Sequence, residues 1–244
     1  MKFNKTIAMF ALANSLFSVH SFAESTDIKL AVPHYPQQNA CWCGIATLEM
    51  VEKYYRGDSW REYAERQYNL AMPVNNGGAD PGHTDQKTPT SGPCGPKGGI
   101  YNKEMSDMLN FRLTKPHNIG YKNVDYYGSF YSKFNSVINY NLHKTVLESI
   151  NKKDPVIFAG QTNYRNGTTT DRASHWYVIV GVKDSDGLTH TINENDGYYI
   201  HDATVNAGLT NIKPLDKPAA FVSHFDLFNK LVPSNRKVSV MQRR

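Results

Sequence analysis

Apolar residues change period along this chain, and each period predicts an element. From Gly44, the stretch GIATLEMVEKYYRG sets Ile45, Leu48, Val51 and Tyr54 or Tyr55 on one stripe of a helical repeat, with Gly57 where a C-terminal cap belongs. The spacing predicts an amphipathic helix with Cys43 at its N-terminus. Residues 59–70 (SWREYAERQYNL) read as a second, more polar helix, and 101–111 and 142–152 as two more. After Asp154-Pro155 the period shortens. Val156-Ile157-Phe158-Ala159 is a short strand, and 176–182 (WYVIVGV), a continuous run of β-branched and aromatic residues, is a strand buried on both faces. Residues 183–187 (KDSDG) read as a turn, and 188–192 and 198–201 as further strands of the same sheet. Residues 121–140, rich in Tyr and Phe, fit neither period. A helix-rich first half followed by a strand-rich second half is the pattern of an α+β domain.

Two segments break this alternation. Residues 6–19 are mostly apolar, follow Lys2 and Lys5, and lead into Ser21-Phe22-Ala23, whose small residues suit a signal-peptidase cut. The run is shorter than the roughly 20 residues a membrane-spanning helix needs. Residues 1–23 are therefore expected to be a cleaved secretory signal, leaving 24–244 as one exported domain with no membrane span. The second break, residues 71–100, holds seven glycines and five prolines, and so long an irregular stretch inside a domain points to function or disorder. Cleavage would remove Lys2 and Lys5 and no acidic residue, taking the net charge from +5 to +3. That charge is too mild and dispersed to indicate a nucleic-acid partner.

Export gives the cysteines their meaning. There are three, Cys41, Cys43 and Cys94, and an odd count in an oxidising compartment predicts one pair and one free thiol. Cys41 and Cys43 are too close in sequence to bridge easily, so Cys94 is expected to bond one of them and leave the other free. A zinc site built on all three is a poor match, because structural zinc cysteines are usually paired two to four residues apart. Cys43, at a helix N-terminus, has one of the two features that lower a thiol's pKa, the other being a nearby histidine. His175 stands at the start of the 176–182 strand, after an expected polar loop from Asn163 to Ser174. A strand end can aim one side chain reproducibly into a cleft.

At these residues the chain resembles a known family. Gln37-Gln38-Asn39-Ala40-Cys41-Trp42-Cys43-Gly44-Ile45-Ala46 is similar to the nucleophile segment of papain-like cysteine peptidases, most of all the bacterial C39-like branch, in which a glutamine precedes a Cys-Gly-x-Ala helix start. His175-Trp176-Tyr177-Val178-Ile179-Val180-Gly181 resembles the family's histidine strand, Tyr199-Ile200-His201-Asp202-Ala203 the strand after it, and Leu147 to Phe158 its helix-then-strand phrase. The resemblance implies a papain-like α+β fold, with a helical N-terminal subdomain carrying the nucleophile helix and packed on a C-terminal antiparallel sheet.

It also implies roles. Cys43 would be the nucleophile, His175 its base and Asp202 the residue that orients the imidazole. Gln37 would donate to the oxyanion, Cys41 would pair with Cys94, and Gly98 and Gly99 would wall the substrate cleft. Cys41-Trp42 also imitates the Cys-Trp of papain, but the Gln37 spacing, Gly44-x-Ala46 and Met50 favour Cys43. The gap from His175 to Asp202 is longer than the family's usual one, so Asn193, Asn195 and Asp196 are alternatives for the third position. The expected activity is hydrolysis of peptide or isopeptide bonds in a peptide or protein substrate, with no cofactor and no metal. A transglutaminase-like acyltransferase or amidase on the same triad, and an inactive papain-like binding module, are the competing readings.

Overall fold

In the computed structural model, the described residues are 25–38, 41–57, 67, 102–117, 119–131, 136–166, 169–187, 191–208, 212–213, 215–233, 235 and 237–243. The expected signal segment 1–23, most of the 59–70 helix and the glycine- and proline-rich segment with Cys94, Gly98 and Gly99 lie outside them.

The apolar run around Val178 forms the middle of the longest strand, β6 (Thr169–Asp184), and His175 to Val182 are buried without alternation. Such burial requires partners on both edges and cover on both faces. β5 (Val156–Asn166) pairs antiparallel along one edge, from Val156 opposite Ile179 to Asn166 opposite Thr169. β7 (Gly197–Asp202) pairs along the other, with an irregularity between Ile179 and Gly181. Beyond β5 come β10 (Lys237–Arg243) and β2 (Tyr121–Tyr127), and beyond β7 comes β9 (Ala220–Ser223). β1 (Thr26–Lys29) pairs with the C-terminal end of β6, and β8 (Ile212–Lys213) with β5. All of these pairings are antiparallel. A separate ribbon joins β3 (Ser129–Tyr131) to β4 (Ser136–Ile138).

Gly181 lets β1 approach. A Cβ there would lie 2.3 Å from the Ile28 carbonyl oxygen, a contact no side chain tolerates.

The helices cover the sheet. α1 (Cys43–Arg56) ends at Gly57, whose φ of 58° closes the helix as expected. Gly44 to Glu52 are all buried, so its first turns are covered on every side rather than along one stripe; it packs on β6 and against α2 (Asn102–His117). α2 runs past the expected end at Phe111. Leu113 continues the stripe of Met105, Met108 and Leu109, and the helix ends one residue past Pro116, whose nitrogen has no hydrogen to give the ladder. α3 (Tyr140–Asn151) is capped by the Asn139 side chain, which accepts from the Leu142 N–H at 2.8 Å. A short helix, α4 (His224–Asp226), leads into a π-helical turn, Leu227–Leu231.

Two sequence expectations are corrected. Of the expected loop from Asn163 to Ser174, residues 163–166 and 169–174 are instead the far arm of the β5–β6 pair, so His175 sits inside a strand rather than at its start. Its polar residues still pair, because ladder hydrogen bonds satisfy the backbone whatever the side chains. Residues 191–192 are not strand; they belong to the connection between β6 and β7. Among the described residues, no helix is long and apolar enough to cross a membrane.

Candidate active site

Cys43 is the first residue of α1 and a free, half-buried thiol. Trp42 precedes it as the cap without a side-chain bond, and the first turn closes through Ala46 N–H to the Trp42 carbonyl at 2.8 Å. The unpaired N–H groups of a helix start attract negative charge. Burial pushes the thiol's pKa up, but the His175 charge, the hydrogen bond to His175 and the backbone N–H groups of Trp176 and Gly44 outweigh it. The net effect holds Cys43 below the ordinary thiol value. β6 thus supplies the imidazole and, from the next residue, an amide facing the sulfur.

His175 is 4% exposed. Its Nε2 lies 2.8 Å from Asp202 Oδ1, which leaves Nδ1 for the thiol. The Tyr177 ring packs edge-on at 4.6 Å, itself stacked on Phe158 and tied by its hydroxyl to the Gln161 carbonyl at 2.9 Å. Burial lowers the imidazole's pKa, but the Cys43 thiolate and the Asp202 carboxylate raise it to about 10. Both shifts favour the thiolate–imidazolium form of the pair.

Asp202 ends β7, opposite Tyr177, and is 1% exposed. Besides His175, its Oδ1 accepts from the Thr204 N–H at 2.8 Å and hydroxyl at 2.6 Å, and its Oδ2 from the Leu215 N–H at 3.0 Å. Burial alone would raise its pKa; the His175 and Thr204 bonds hold it below the ordinary carboxylate value. Of the alternatives, Asp196 accepts from Ser185 N–H and Oγ and from Asn193 N–H at the far end of the β6–β7 pair, and Asn193 and Asn195 share that turn. Asp202 is the carboxylate on His175.

The segment with Gln37 is stitched to the end of β7. His201 Nε2 donates to the Val32 carbonyl, His34 Nε2 to the Asp202 carbonyl, and Gln37 N–H to the Ala203 carbonyl, at 2.9, 2.9 and 2.7 Å. Gln37 is 2% exposed. Gln67 secures both of its neighbours, donating to the Pro36 carbonyl and accepting from the Gln38 N–H, each at 2.8 Å. It also bonds Glu49 of α1 at 2.9 Å. The sequence offered no sign of this bracket: a glutamine in a polar stretch reads as surface, yet Gln67 is 1% exposed. Thr204 and Leu215 were equally invisible.

Cys43, His175, Asp202 and Gln37 are thus carried by α1, β6, β7 and the segment laced to β7. Cys41 stands two residues before the thiol; Cys94, Gly98 and Gly99 lie outside the described residues. A cavity of about 360 Å³ lined by Thr162, Tyr177, Asp202, Leu215 and Leu231 reaches Asp202 but not Cys43 or His175, so it is not the space in front of the sulfur. No curated protein matches the chain. Residues 29–221, a span holding all four of these side chains, match the model of the Peptidase_C39 like family.

Proposed function

The chain belongs to this C39-like family of papain-like peptidases, and from that premise we propose that it is an exported cysteine peptidase that cleaves peptide or isopeptide bonds through Cys43, His175 and Asp202. The Cys43 thiolate attacks the substrate carbonyl carbon, and the electron pair of the C=O moves to oxygen. The oxyanion is met by the Cys43 backbone N–H and the Gln37 side-chain amide. As the tetrahedral intermediate collapses, His175 passes its proton to the leaving amine and a thioester remains. Neutral His175 then takes a proton from water, whose oxygen attacks the thioester. Collapse releases the acid, and the imidazolium and thiolate are restored. Asp202 stays ionised and holds Nε2 throughout.

One observation carries this reading: a free thiol at a helix start, in charge contact with a buried histidine whose other nitrogen is fixed by a carboxylate with three further hydrogen bonds. The finer parts of the proposal rest on the resemblance. The helices carrying the nucleophile form one subdomain and the antiparallel sheet the other, Gly98 and Gly99 wall the cleft, and the mature chain begins after residue 23. Cys41 bonds Cys94, a pairing supported by Cys43 being a free thiol and Cys41 not being one.

The test is to treat the mature, non-reduced protein with low iodoacetamide and with an epoxide inhibitor of papain-like enzymes, then map the label. Rapid labelling confined to Cys43, with loss of cleavage of a peptide library, is the expected result. Slow labelling of Cys43, or labelling of another residue, would overturn the assignment. Products from a library run with an added amine would expose acyl transfer in place of hydrolysis.

A further inference from the structure

The strand that delivers His175 at one point ends nine residues later in a different cluster of buried groups. At about 3.3 Å per strand residue, the two are roughly 30 Å apart. Asp184 closes β6, Asp196 stands just before β7, and His143 projects from the first turn of α3. All three side chains are completely buried. One donor atom from each lies within 4.8 Å of the others.

The hydrogen bonding within this cluster is unfinished. Asp184 Oδ1 accepts from the Gly187 N–H at 2.7 Å, but its Oδ2 has no hydrogen-bond partner. Asp196 is held by Ser185 and Asn193, bonds that orient its carboxylate and leave lone pairs over. Neither ring nitrogen of His143 has a hydrogen-bond partner; Nε2 faces Asp184 Oδ2 at 3.5 Å, too long for a good one. Neither carboxylate is paired with a Lys or Arg among the described residues. Two buried carboxylates with no Lys or Arg partner, and an imidazole whose two nitrogens lack hydrogen bonds while one of them faces a carboxylate, form an arrangement that a protein interior tolerates poorly by itself. His224, 6.0 Å away, is not part of it. Its Nε2 accepts from the Asn139 N–H and its Nδ1 bonds the Tyr198 hydroxyl.

We propose that His143, Asp184 and Asp196 are the protein ligands of a structural divalent cation of the zinc class, which fastens the β6–β7 turn to α3. The donor set selects the ion. Zinc takes imidazole nitrogen and carboxylate oxygen together at about 2.0–2.2 Å, with a water able to fill a fourth position, whereas calcium takes six to eight oxygens and magnesium keeps its own waters. Donors around one tetrahedral zinc are about 3.3–3.6 Å apart at those bond lengths; His143 Nε2 and Asp184 Oδ2 already stand at 3.5 Å, and the cluster, within 4.8 Å overall, closes on an ion with a shift of at most about an ångström. The bonds from Gly187, Ser185 and Asn193 are the outer supports that such ligands need. This site is independent of the proposed chemistry at Cys43.

The experiment uses the whole mature chain carrying Cys43→Ser, so that the reactive thiol cannot take up metal. After chelation, ZnCl₂ and CaCl₂ are titrated by calorimetry, with melting followed in parallel. One zinc per chain, a raised melting temperature and no response to equal CaCl₂ are expected. Asp184→Asn and His143→Leu should each weaken zinc at least 10-fold, the scale on which even outer-shell partners of a metal matter. No zinc uptake, preference for calcium, or unchanged affinity in both variants would overturn the proposal. Should the variants fail to fold, X-ray absorption at the zinc edge of the parent protein decides the matter: nitrogen and oxygen neighbours support the site, and sulfur neighbours refute it.

Discussion

Replacing His175 by Ala tests the electrostatics that would make Cys43 a nucleophile. The substitution removes the two interactions with His175 that oppose burial, while burial and the Trp176 and Gly44 N–H contacts remain, so the thiol should rise towards its ordinary value of 9.0. At pH 7 a thiol of that value is about 1% ionised, and the contact with His175 raises that fraction in the parent. The rate of Cys43 alkylation should then fall, with a ceiling on the order of 100-fold set by that ionised fraction, reduced somewhat because a more basic thiolate is a better nucleophile once formed. The pH profile separates this cause from simple misfolding. In the parent, labelling should climb less steeply between pH 6 and 8, because His175, whose imidazolium persists to about 10, holds the thiol below its ordinary value. In His175→Ala it should climb about tenfold per pH unit across the same range. The assay is iodoacetamide incorporation at Cys43 by mass spectrometry, on protein whose melting curve shows it folded. That check matters because removing one partner of a buried ion pair destabilises the fold by about 3–5 kcal/mol. Equal rates with parallel pH profiles would refute the charge pairing of Cys43 with His175.

Three other changes separate binding of the oxyanion from positioning of the triad. Gln37→Ala should lower kcat by about 10²–10³-fold while leaving the alkylation rate of Cys43 almost unchanged, since alkylation by iodoacetamide develops no oxyanion; a parallel loss in both would place Gln37 in thiol activation instead. Thr204→Val removes the 2.6 Å hydroxyl bond to the Asp202 carboxylate. It should cost about 1.5–3 kcal/mol of stability in chemical denaturation and weaken the hold on His175, so that activity falls and Thr204→Ser restores most of it. Gln67→Ala cuts the two bonds bracketing Gln37 and the one to Glu49. Turnover should drop at least tenfold with KM little altered, whereas normal turnover in a destabilised protein would reduce Gln67 to a purely structural part.

How much of this was legible beforehand follows the range of the forces involved. The nucleophile helix, its start at Cys43 and its stop at Gly57 depend on contacts three or four residues apart, and the strand at 176–182 declares itself by an unbroken apolar run. Local pattern therefore sufficed for both. The α+β alternation and the order of the candidate residues were equally open to reading, because the family's motifs are short contiguous phrases. The strand character of 163–166 and 169–174 could not be read, since it comes from ladder bonds between β5 and β6 and not from side-chain alternation.

Tertiary structure alone decided which acidic residue meets His175. Asp202 and Asp196 lie six residues apart on the same strand and its approach, and only the register of β7 against β6 sets one beside the histidine and the other at the far turn. It also decided that a polar-looking glutamine, Gln67, is buried as a clamp, and that His143, Asp184 and Asp196 converge. A sequence determines which side chains are available and how each short stretch prefers to fold. Convergence from distant parts of the chain is set by which faces bury against which, and no local pattern carries that.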